Sequence, residues 1–305
     1  MLKDTAIFVD ECSLFAAPHL ARALGVTLYT MIPKYNNFFG FNSHAVDWDS
    51  GRAIKEQSLI IIGYNAMRAI EQQIKRFTKI AIILSDSWSC AKNEYIDKFI
   101  EAYKPVAFAM PDIQKFFKNR TIPIYQTIDV SHIPIKKPER LTITHSPSNG
   151  VKYAVKGSDE IIRVINKLKL YYDFDFRLIQ NLSMTDCLKQ KAQSHIFIDQ
   201  LIYKNPKVPQ SRFGSKILYD GGLGKSGIEA MLLDNVVITG GMRPETEEYF
   251  PSPPVLWTDF KRFENDLKQL ISNSEQRDSL QWMQRKWVGK YASASFIKDY
   301  IAKYL

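Results

Sequence analysis

Cysteine and long apolar runs are scarce in this 305-residue chain. Its three cysteines, Cys12, Cys90 and Cys187, are scattered and form no C-x-x-C pair. This argues against a disulfide framework and against a cysteine-ligated zinc site, and predicts reduced, mostly buried thiols. No window approaches the ~18 uncharged apolar residues that a membrane-spanning helix needs, and acidic residues interrupt the beginning of the chain, where a signal peptide would be apolar. We therefore expect a cytoplasmic protein with no integral membrane association.

Acidic residues are outnumbered by basic ones. The chain has 41 Lys and Arg residues against 32 Asp and Glu residues, which gives a formal net charge of +9. Such a balance favours an anionic partner, namely nucleic acid, an acidic membrane surface or a phosphorylated substrate. Hydrophobic residues make up 45% of the chain and charged residues 24%, which is ordinary for a globular protein and argues against disorder.

Apolar runs of strand length alternate with segments of helical periodicity throughout the chain. Short buried strands separated by helices are typical of a parallel α/β sheet that is covered on both faces. Near the middle, DVSHIPIKKPERL (129–141) carries two prolines and a basic cluster without helical period, which predicts a linker. The length fits two domains. We predict Rossmann-like domains over 1–135 and 136–290, and a helix over 291–305 that packs back toward the first domain.

The predicted strands are distributed over both halves of the chain. They are AIFV (6–9), VTLYTMI (26–32), SLIIIGY (58–64), KIAIILSD (79–86), PVAFAM (105–110), RLTITHS (140–146), DFRLIQN (175–181), HIFIDQL (195–201), KILYD (216–220) and NVVITGG (235–241). Ser183 and Asp186 have the spacing of a capping box for a helix over 184–193. Because doubly wound domains bind ligands outside the carboxyl ends of their strands, we expect the active site in a cleft between the two domains.

The stretch YDGGLGKSGIEAM (219–231) raises the question of a P-loop. The P-loop motif needs a glycine five residues before Gly224, and this chain has Tyr219 there. What remains is a strand, a glycine turn and a helix whose second turn carries Glu229. Backbone amides at such a turn can hold a diphosphate, and the acid is placed to accept hydrogen bonds from a ribose diol. The pattern therefore predicts a bound nucleoside diphosphate.

Three segments together resemble the C-terminal domain of GT-B glycosyltransferases that use nucleotide sugars, of the retaining, group 1 or family 4-like type. These segments are THSPSNGVKYAVKGSDEIIRVINKL (144–168), AQSHIFIDQL (192–201) and GGLGKSGIEAMLLDNVVITG (221–240). They are similar, in the same order, to that family's strand with a Lys-Gly loop, its A-D-I-F-V-D-Q strand, and its E-G-F-G-L-S-x-L-E-A-M-A loop and helix. The first half of the chain is similar only at the level of fold.

This resemblance implies a fold and an activity. The fold would be α/β, of the GT-B type, with two Rossmann-like doubly wound domains that face each other across a cleft. The activity would be transfer of a sugar from a nucleoside-diphosphate sugar, with a UDP-sugar favoured, to an acceptor hydroxyl. The family resemblance favours retention of configuration and implies that neither a metal nor another cofactor is required.

The resemblance also assigns site residues. Lys156 would hold the donor diphosphate, and Glu229 would hold the ribose. The family places an acid at Gly221, so Asp220 is the candidate that replaces it; Lys156, Glu229 and Asp220 are the expected catalytic residues. The other residues expected to bind the donor are His145, Asn149, Asn181, Leu182, Gly222, Gly224, Lys225 and Ser226.

Other titratable residues are candidates for metal binding or for general-base catalysis. The D-W-D at 47–49 and the D-F-D at 173–175 are similar to the metal motif of the other glycosyltransferase fold, but their positions indicate accidental matches. An inverting enzyme would need a general base in the first domain. Candidates for that base are Asp10, Glu11, His19 and Asp86.

Two acceptor classes fit this interpretation. One is a hydroxyl on a surface glycan, a lipopolysaccharide or another carbohydrate. The other is a hydroxymethylated pyrimidine in double-stranded DNA, as in phage enzymes that glycosylate their own genomes in the host cytoplasm; the net charge slightly favours it. The aromatic loop PKYNNFFGFNSH (33–44) could stack on a sugar or on a base. A nucleotide-sugar-binding protein that has lost transfer is a third alternative, because the family's first glutamate is missing.

Overall fold

The computed structural model describes residues 2, 4–9, 17–31, 44–45, 54–84, 92–126, 128–147, 156–202 and 221–305. The chain divides into two compact units. Unit 1 holds the described residues of Met1–Ile128 and Ala292–Leu305, and unit 2 those of Asp129–Arg212 and Leu218–Tyr291.

Unit 1 is built on a parallel seven-stranded sheet in the order β3-β2-β1-β4-β5-β6-β7. Its strands are β1 (Thr5–Val9), β2 (Thr27–Thr30), β3 (His44–Ala45), β4 (Ser58–Ile62), β5 (Lys79–Leu84), β6 (Val106–Ala109) and β7 (Ile122–Pro123). The central strands are continuous apolar runs, and their side chains are buried on both faces of the sheet, as a parallel sheet covered by helices requires. The first helices of this unit are α1 (Ala17–Leu24), α2 (Tyr64–Ile70) and α3 (Asn93–Tyr103).

Unit 2 contains a parallel five-stranded sheet in the order β12-β11-β10-β8-β9. Its strands are β8 (Thr142–His145), β9 (Asp175–Leu178), β10 (Ile196–Leu201), β11 (Val236–Gly240) and β12 (Leu256–Trp257). Its helices are α4 (Ser158–Leu168), α5 (Met184–Ala192), α6 (Lys225–Leu232), α7 (Phe263–Ser272) and α8 (Ser274–Tyr291). The strand order reverses between β8 and β10, which makes the carboxyl ends of these two strands the expected ligand-binding edge of the sheet.

The last helix, α9 (Ala294–Tyr304), belongs to unit 1 and packs against α1. The Ser293 hydroxyl caps it by accepting a hydrogen bond from the Phe296 amide at 3.2 Å. Ile297, Tyr300 and Ile301 form its buried face. Burial of these apolar side chains is what holds the helix on unit 1.

The predictions of strands and of one helix cap are confirmed. Each predicted strand that lies within the described residues contains an observed strand, and 129–141 contains neither helix nor strand. The Ser183 hydroxyl accepts the Asp186 amide at 3.1 Å, so the predicted cap begins α5. Within the part of the chain that the structure describes, no helix combines the length and the apolar composition needed to cross a membrane.

Candidate functional site

The carboxyl ends of β8 and β10 bring together two of the segments that the sequence singled out. β8 ends at His145, and the neighbouring β10 ends at Leu201. Lys156 lies immediately before α4, and its carbonyl oxygen accepts the Leu201 amide at 2.9 Å. The glycine turn before α6 packs beside the end of β10 through Asp199, as described below. The structure thus places Lys156 and the glycine turn at the expected edge of the sheet.

The glycine turn lies against the end of β11, backbone to backbone. Gly221 has φ +75°, a left-handed conformation that favours glycine. The Gly222 carbonyl accepts hydrogen bonds from the Gln200 side chain and from the Thr239 hydroxyl. A Cβ atom at Gly241 would lie 2.5 Å from the Gly222 nitrogen, so this position has no room for a side chain. These contacts fix the turn on the sheet before any ligand is considered.

The buried carboxylate of Asp199 supports the glycine turn by a hydrogen bond. Asp199 is 0% exposed, and its Oδ2 accepts the Gly224 amide at 2.8 Å. Its Oδ1 lies 3.8 Å from Lys156 Nζ, and no hydrogen-bond donor reaches Oδ1 from the described residues. The sequence assigned the Gly224 amide to a phosphate, and the structure corrects this: that amide is donated to Asp199. The amides of Lys225 and Ser226 belong to the first helical turn, where backbone donors have no intrahelical acceptor.

The Lys156 ammonium lies between two groups of the sheet edge. It donates a hydrogen bond to the Ser146 carbonyl at 3.3 Å and lies 3.8 Å from Asp199 Oδ1. Its side chain is 18% exposed, so it is mostly enclosed but retains contact with solvent. Gly157 follows with φ +71° and is the N-cap residue of α4. The Lys-Gly pair therefore turns the chain so that the ammonium faces the sheet edge, where an anion could bind.

Glu229 lies inside α6 and is held by two lysines. Its carboxylate is almost fully buried, with Oε2 2.5 Å from Lys191 Nζ and Oε1 3.8 Å from Lys225 Nζ. Lys191 Nζ also donates to the Ser226 hydroxyl at 3.0 Å. Burial by itself raises the pKa of Glu229, but the positive charges of Lys191 and Lys225 outweigh it and the pKa is lowered. Glu229 is therefore ionised.

His145 has a different position from the one expected of a ligand-binding residue. Its ring is fully buried, with Nδ1 2.8 Å from the Ile198 carbonyl and Nε2 2.8 Å from the Ser158 hydroxyl. Burial lowers its pKa to about 3, so the ring is neutral: Nδ1 donates to Ile198, and Nε2 accepts from Ser158. Both ring nitrogens are used inside unit 2, where they join β8, β10 and the first residue of α4.

Apart from the acids of 173–175, three of the remaining predicted residues are described by the structure and the others are not. Asn181, with φ +55°, and the half-exposed Leu182 lie beyond the end of β9, on the far side of β8 from β10. His19 is buried in α1. The predicted residues and segments that lie outside the described residues are Asn149, Asp220, Asp10, Glu11, Asp86, 33–43, 47–49 and the whole of the predicted strand 216–220.

The two acids of the D-F-D sequence at 173–175 pair with an arginine. Both Asp173 and Asp175 form ion pairs with Arg140, the second at 2.9 Å, on the exposed surface of unit 2. In the described ranges, no group of three or more His, Cys, Asp or Glu side chains is arranged to hold a metal ion.

Lys191 and Asp199 are the residues that the sequence did not assign. Lys191 shares the buried face of α5 with Leu188 and Ala192, and this spacing of three and four residues was the available signal. Asp199 was visible as an acid that interrupts a buried apolar strand. Charged residues are almost never fully buried unless they are paired, so each of them marks an interaction that the fold requires.

Comparison with known proteins identifies the fold. No family model matches the sequence, and none of the curated proteins is similar to it in sequence. Solved structures do match over nearly the whole chain. A glycosyltransferase from Rickettsia africae ESF-5 superimposes with a TM-score of 0.63 at 10% identity, covering 98% of this chain and 97% of that one.

Two further solved structures also match nearly the whole chain. An α-glucosyltransferase in complex with UDP and a 13-mer DNA containing a HMU base has a TM-score of 0.54 at 11% identity, covering 98% of both chains. UDP-GlcNAc 2-epimerase from Neisseria meningitidis, bound to UDP-GlcNAc, has a TM-score of 0.59 at 12% identity, covering 98% of this chain and 99% of that chain. At this level of identity the likeness defines the fold. The predicted class, a GT-B fold with two Rossmann-like α/β domains, is confirmed.

Proposed function

We propose that this protein is a glycosyltransferase that moves a sugar from a nucleoside-diphosphate sugar, with UDP as the carrier, to an acceptor hydroxyl. The observation that carries the proposal is the arrangement at the switch point of unit 2. There, Lys156, the N-terminus of α6 and the ionised Glu229 occupy one strand–turn–helix edge. Among the residues that the structure describes, three lysines and two acids meet at this edge, and this majority of cations favours an anionic ligand.

The roles of these residues follow from their chemistry. Lys156 and the first-turn amides of α6 would bind the diphosphate, because a cation and the positive end of a helix dipole both favour it. As the bond between sugar and phosphate breaks, negative charge develops on the departing diphosphate, and these fixed donors would stabilise it. Glu229, one turn further along, would accept hydrogen bonds from the ribose. For Asp220 we propose that it takes the place of the missing first glutamate and contacts the transferred sugar.

The acceptor that we favour is a hydroxymethylated pyrimidine in double-stranded DNA. Two observations support it: the net charge of +9, and the similar fold of the α-glucosyltransferase bound to UDP and a 13-mer DNA containing a HMU base. A base inside a duplex must leave the stack before it can react, so this acceptor would be flipped out to reach the donor. A carbohydrate acceptor is the competing possibility.

One experiment tests donor and acceptor together. Hydroxymethylated duplex DNA is incubated with the protein and a panel of UDP-sugars, digested to nucleosides and analysed by mass spectrometry. We expect a hexose or pentose increment on the hydroxymethylated base alone, and none on DNA without that modification. If UDP is released but no modified nucleoside forms, the DNA acceptor is wrong and a carbohydrate acceptor is favoured. Binding of UDP-sugars with no release under any acceptor would indicate a non-catalytic binder, and no binding at all would overturn the proposal.

Lys156→Met tests the role of the ammonium. Methionine keeps an unbranched side chain only one atom shorter than lysine, but removes the charge that would stabilise the leaving diphosphate. We expect kcat to fall by about 10²- to 10³-fold, the usual loss for one transition-state donor. Lys189→Met is the matched control, because Lys189 is exposed on the surface of the same unit and pairs with Asp186. Equal activity of the two variants would contradict the assignment of Lys156.

A further inference from the structure

We infer that Lys191 is a positioning residue that holds the Glu229 carboxylate in the orientation that recognises a ribose, and thereby makes the site selective for ribonucleotide donors. This inference rests on the proposed function. It concerns a side chain that touches no ligand itself and acts through Glu229.

The hydrogen bonds of the Lys191 ammonium are all directed to the first turns of α6. Its side chain is fully buried, and Nζ has three oxygen acceptors: Glu229 Oε2 at 2.5 Å, Ser226 Oγ at 3.0 Å and the Ser226 carbonyl at 3.5 Å. The ammonium also lies 4.9 Å from the centre of the Phe197 ring. A lysine ammonium has three protons, so these acceptors match its full donor capacity. The group is therefore committed to the protein.

The backbone that carries Lys191 is anchored to the helix that carries Glu229. The Asn235 amide group donates to the Lys191 carbonyl at 3.0 Å and to the Ala230 carbonyl at 2.9 Å. These bonds tie the end of α5 to α6, so the distance between the two charged groups is set by the fold. A pair held in this way has little freedom to adopt another geometry, which is the condition for a precise polar contact with a ligand.

The two oxygens of Glu229 have different surroundings. Oε2 accepts the Lys191 hydrogen bond, whereas Oε1 lies 3.8 Å from Lys225 Nζ and receives no hydrogen bond from the residues that the structure describes. A ribose diol carries two hydroxyl donors, and a carboxylate oxygen without a donor is the acceptor that it needs. Lys191 therefore leaves Oε1 for the ligand by occupying Oε2.

The charge of Glu229 depends on its neighbours on every side. Lys191 faces it from α5 and Lys225 from its own helix, and Lys156 acts from the segment before α4. Cys187 on α5 interacts with Lys225, and Asp199 on β10 pairs with Lys156. Burial favours the protonated acid, and Lys191 is the lysine in direct contact with the carboxylate. Without Lys191, the pKa of Glu229 would rise, and a protonated Glu229 would be a poorer acceptor.

The test compares UDP with 2′-deoxy-UDP by calorimetry at pH 8 and pH 6. We expect the unmodified protein to prefer UDP by about 10- to 100-fold, the value of a hydrogen bond to a charged group. In Lys191→Met this preference should shrink to about threefold or less. The loss of UDP affinity relative to the unmodified protein should be larger at pH 6 than at pH 8, because more of Glu229 is protonated at the lower pH. Lys189→Met, on the exposed face of the same helix, should keep the full preference.

A second variant keeps the inference falsifiable if Lys191→Met folds poorly, since it leaves a buried acid without its partner. Glu229→Gln together with Lys191→Met removes both buried charges. We expect this double variant to fold and to have the same low preference as Glu229→Gln alone, because Lys191 acts only through Glu229.

The outcomes separate the inference from the function on which it rests. If the unmodified protein prefers UDP and Lys191→Met retains that preference, the positioning role is wrong and the proposed function stands. If Lys191→Met lowers the preference further in the Glu229→Gln background, Lys191 acts independently of Glu229 and the inference is also wrong. If the unmodified protein does not bind UDP, the proposed function fails first, and the inference fails with it.

Discussion

His145 gives unit 2 a stability that depends on pH. Its pKa is about 3 in the folded protein and near 6.5 in an unfolded chain, because burial disfavours the charged ring and the positive charge of Lys156 repels it; the hydrogen bond to the Ile198 carbonyl opposes this shift but is outweighed. Between these two values the unfolded chain binds a proton that the folded chain does not. Stability from this residue is therefore fully present above pH 6.5 and is lost as the pH falls toward 3.

We expect a loss of roughly 2 kcal/mol between pH 7 and pH 5 from this one group. His145→Gln, which has no titrating ring, should remove that part of the slope when urea unfolding is measured at both pH values. The contribution of His195, whose pKa is also lowered by burial, is common to both proteins and cancels in the comparison. Identical slopes in the two proteins would contradict the assignment.

The residues that sequence reasoning found and those that it missed differ in one physical respect. Lys156 and Glu229 could be predicted because each belongs to a local sequence pattern. Lys156 directly precedes a glycine, and Glu229 lies in the segment of glycine turn and helix. Lys191 sits in KQK, which reads as a solvated surface, and its burial follows from the packing of α5 on α6. Asp199 likewise becomes a support for Gly224 only when a segment 25 residues later returns to β10. Contacts between distant segments are not visible in a single sequence.

At the scale of elements, the end of β11 and the glycine turn form one close contact. A methyl group at Gly241 would meet the Gly222 nitrogen at 2.5 Å and its Cα at 2.8 Å, and these backbone atoms cannot rotate away. We expect Gly241→Ala to displace the turn, to cost about 1–3 kcal/mol of stability, and to weaken UDP binding by about tenfold. Thermal unfolding and calorimetry measure the two effects.

Gly289 in α8 supplies the control for this prediction. Apart from its chain neighbours and the backbone of its own helix, no atom of the described residues lies within 4 Å of a Cβ atom built there, so alanine fits without strain. Gly289→Ala should raise stability by up to about 1 kcal/mol, because alanine is the better helix former, and should leave UDP binding unchanged. A Gly241→Ala protein that behaves like Gly289→Ala would show that the turn has room that the structure does not give it.

The elements were predictable to the extent that their residues carry a periodic pattern. SLIII and KIAIIL are apolar throughout, and both are observed as strands, β4 and β5. β12 was missed, because a strand of two residues shows no period. Beyond β12, the edge of β11 is completed by Gln284 on α8, whose side-chain oxygen accepts a hydrogen bond from the Val237 amide at 2.8 Å. A sheet edge completed by a helix side chain has no signature in the strand sequence.

At the scale of the whole molecule, the excess of basic residues has a measurable consequence if DNA is the acceptor. Each phosphate that a lysine or arginine neutralises releases a bound counterion, so affinity falls as salt rises. For three to four such contacts, we expect binding to a hydroxymethylated duplex to weaken by about 10²-fold between 50 and 200 mM salt. Fluorescence anisotropy with a labelled duplex measures this. No binding at low salt would exclude DNA and leave a carbohydrate acceptor.

The return of α9 to α1 determines the order in which the two units can be completed during synthesis. A ribosome makes α1 early, but its packing partner, with Ile297 and Ile301, is made after every strand of unit 2. Unit 2 can therefore fold while unit 1 still has an apolar helix face without its cover. The half of the protein that is translated first is the half that matures last, and until then α1 is the surface that a chaperone would recognise.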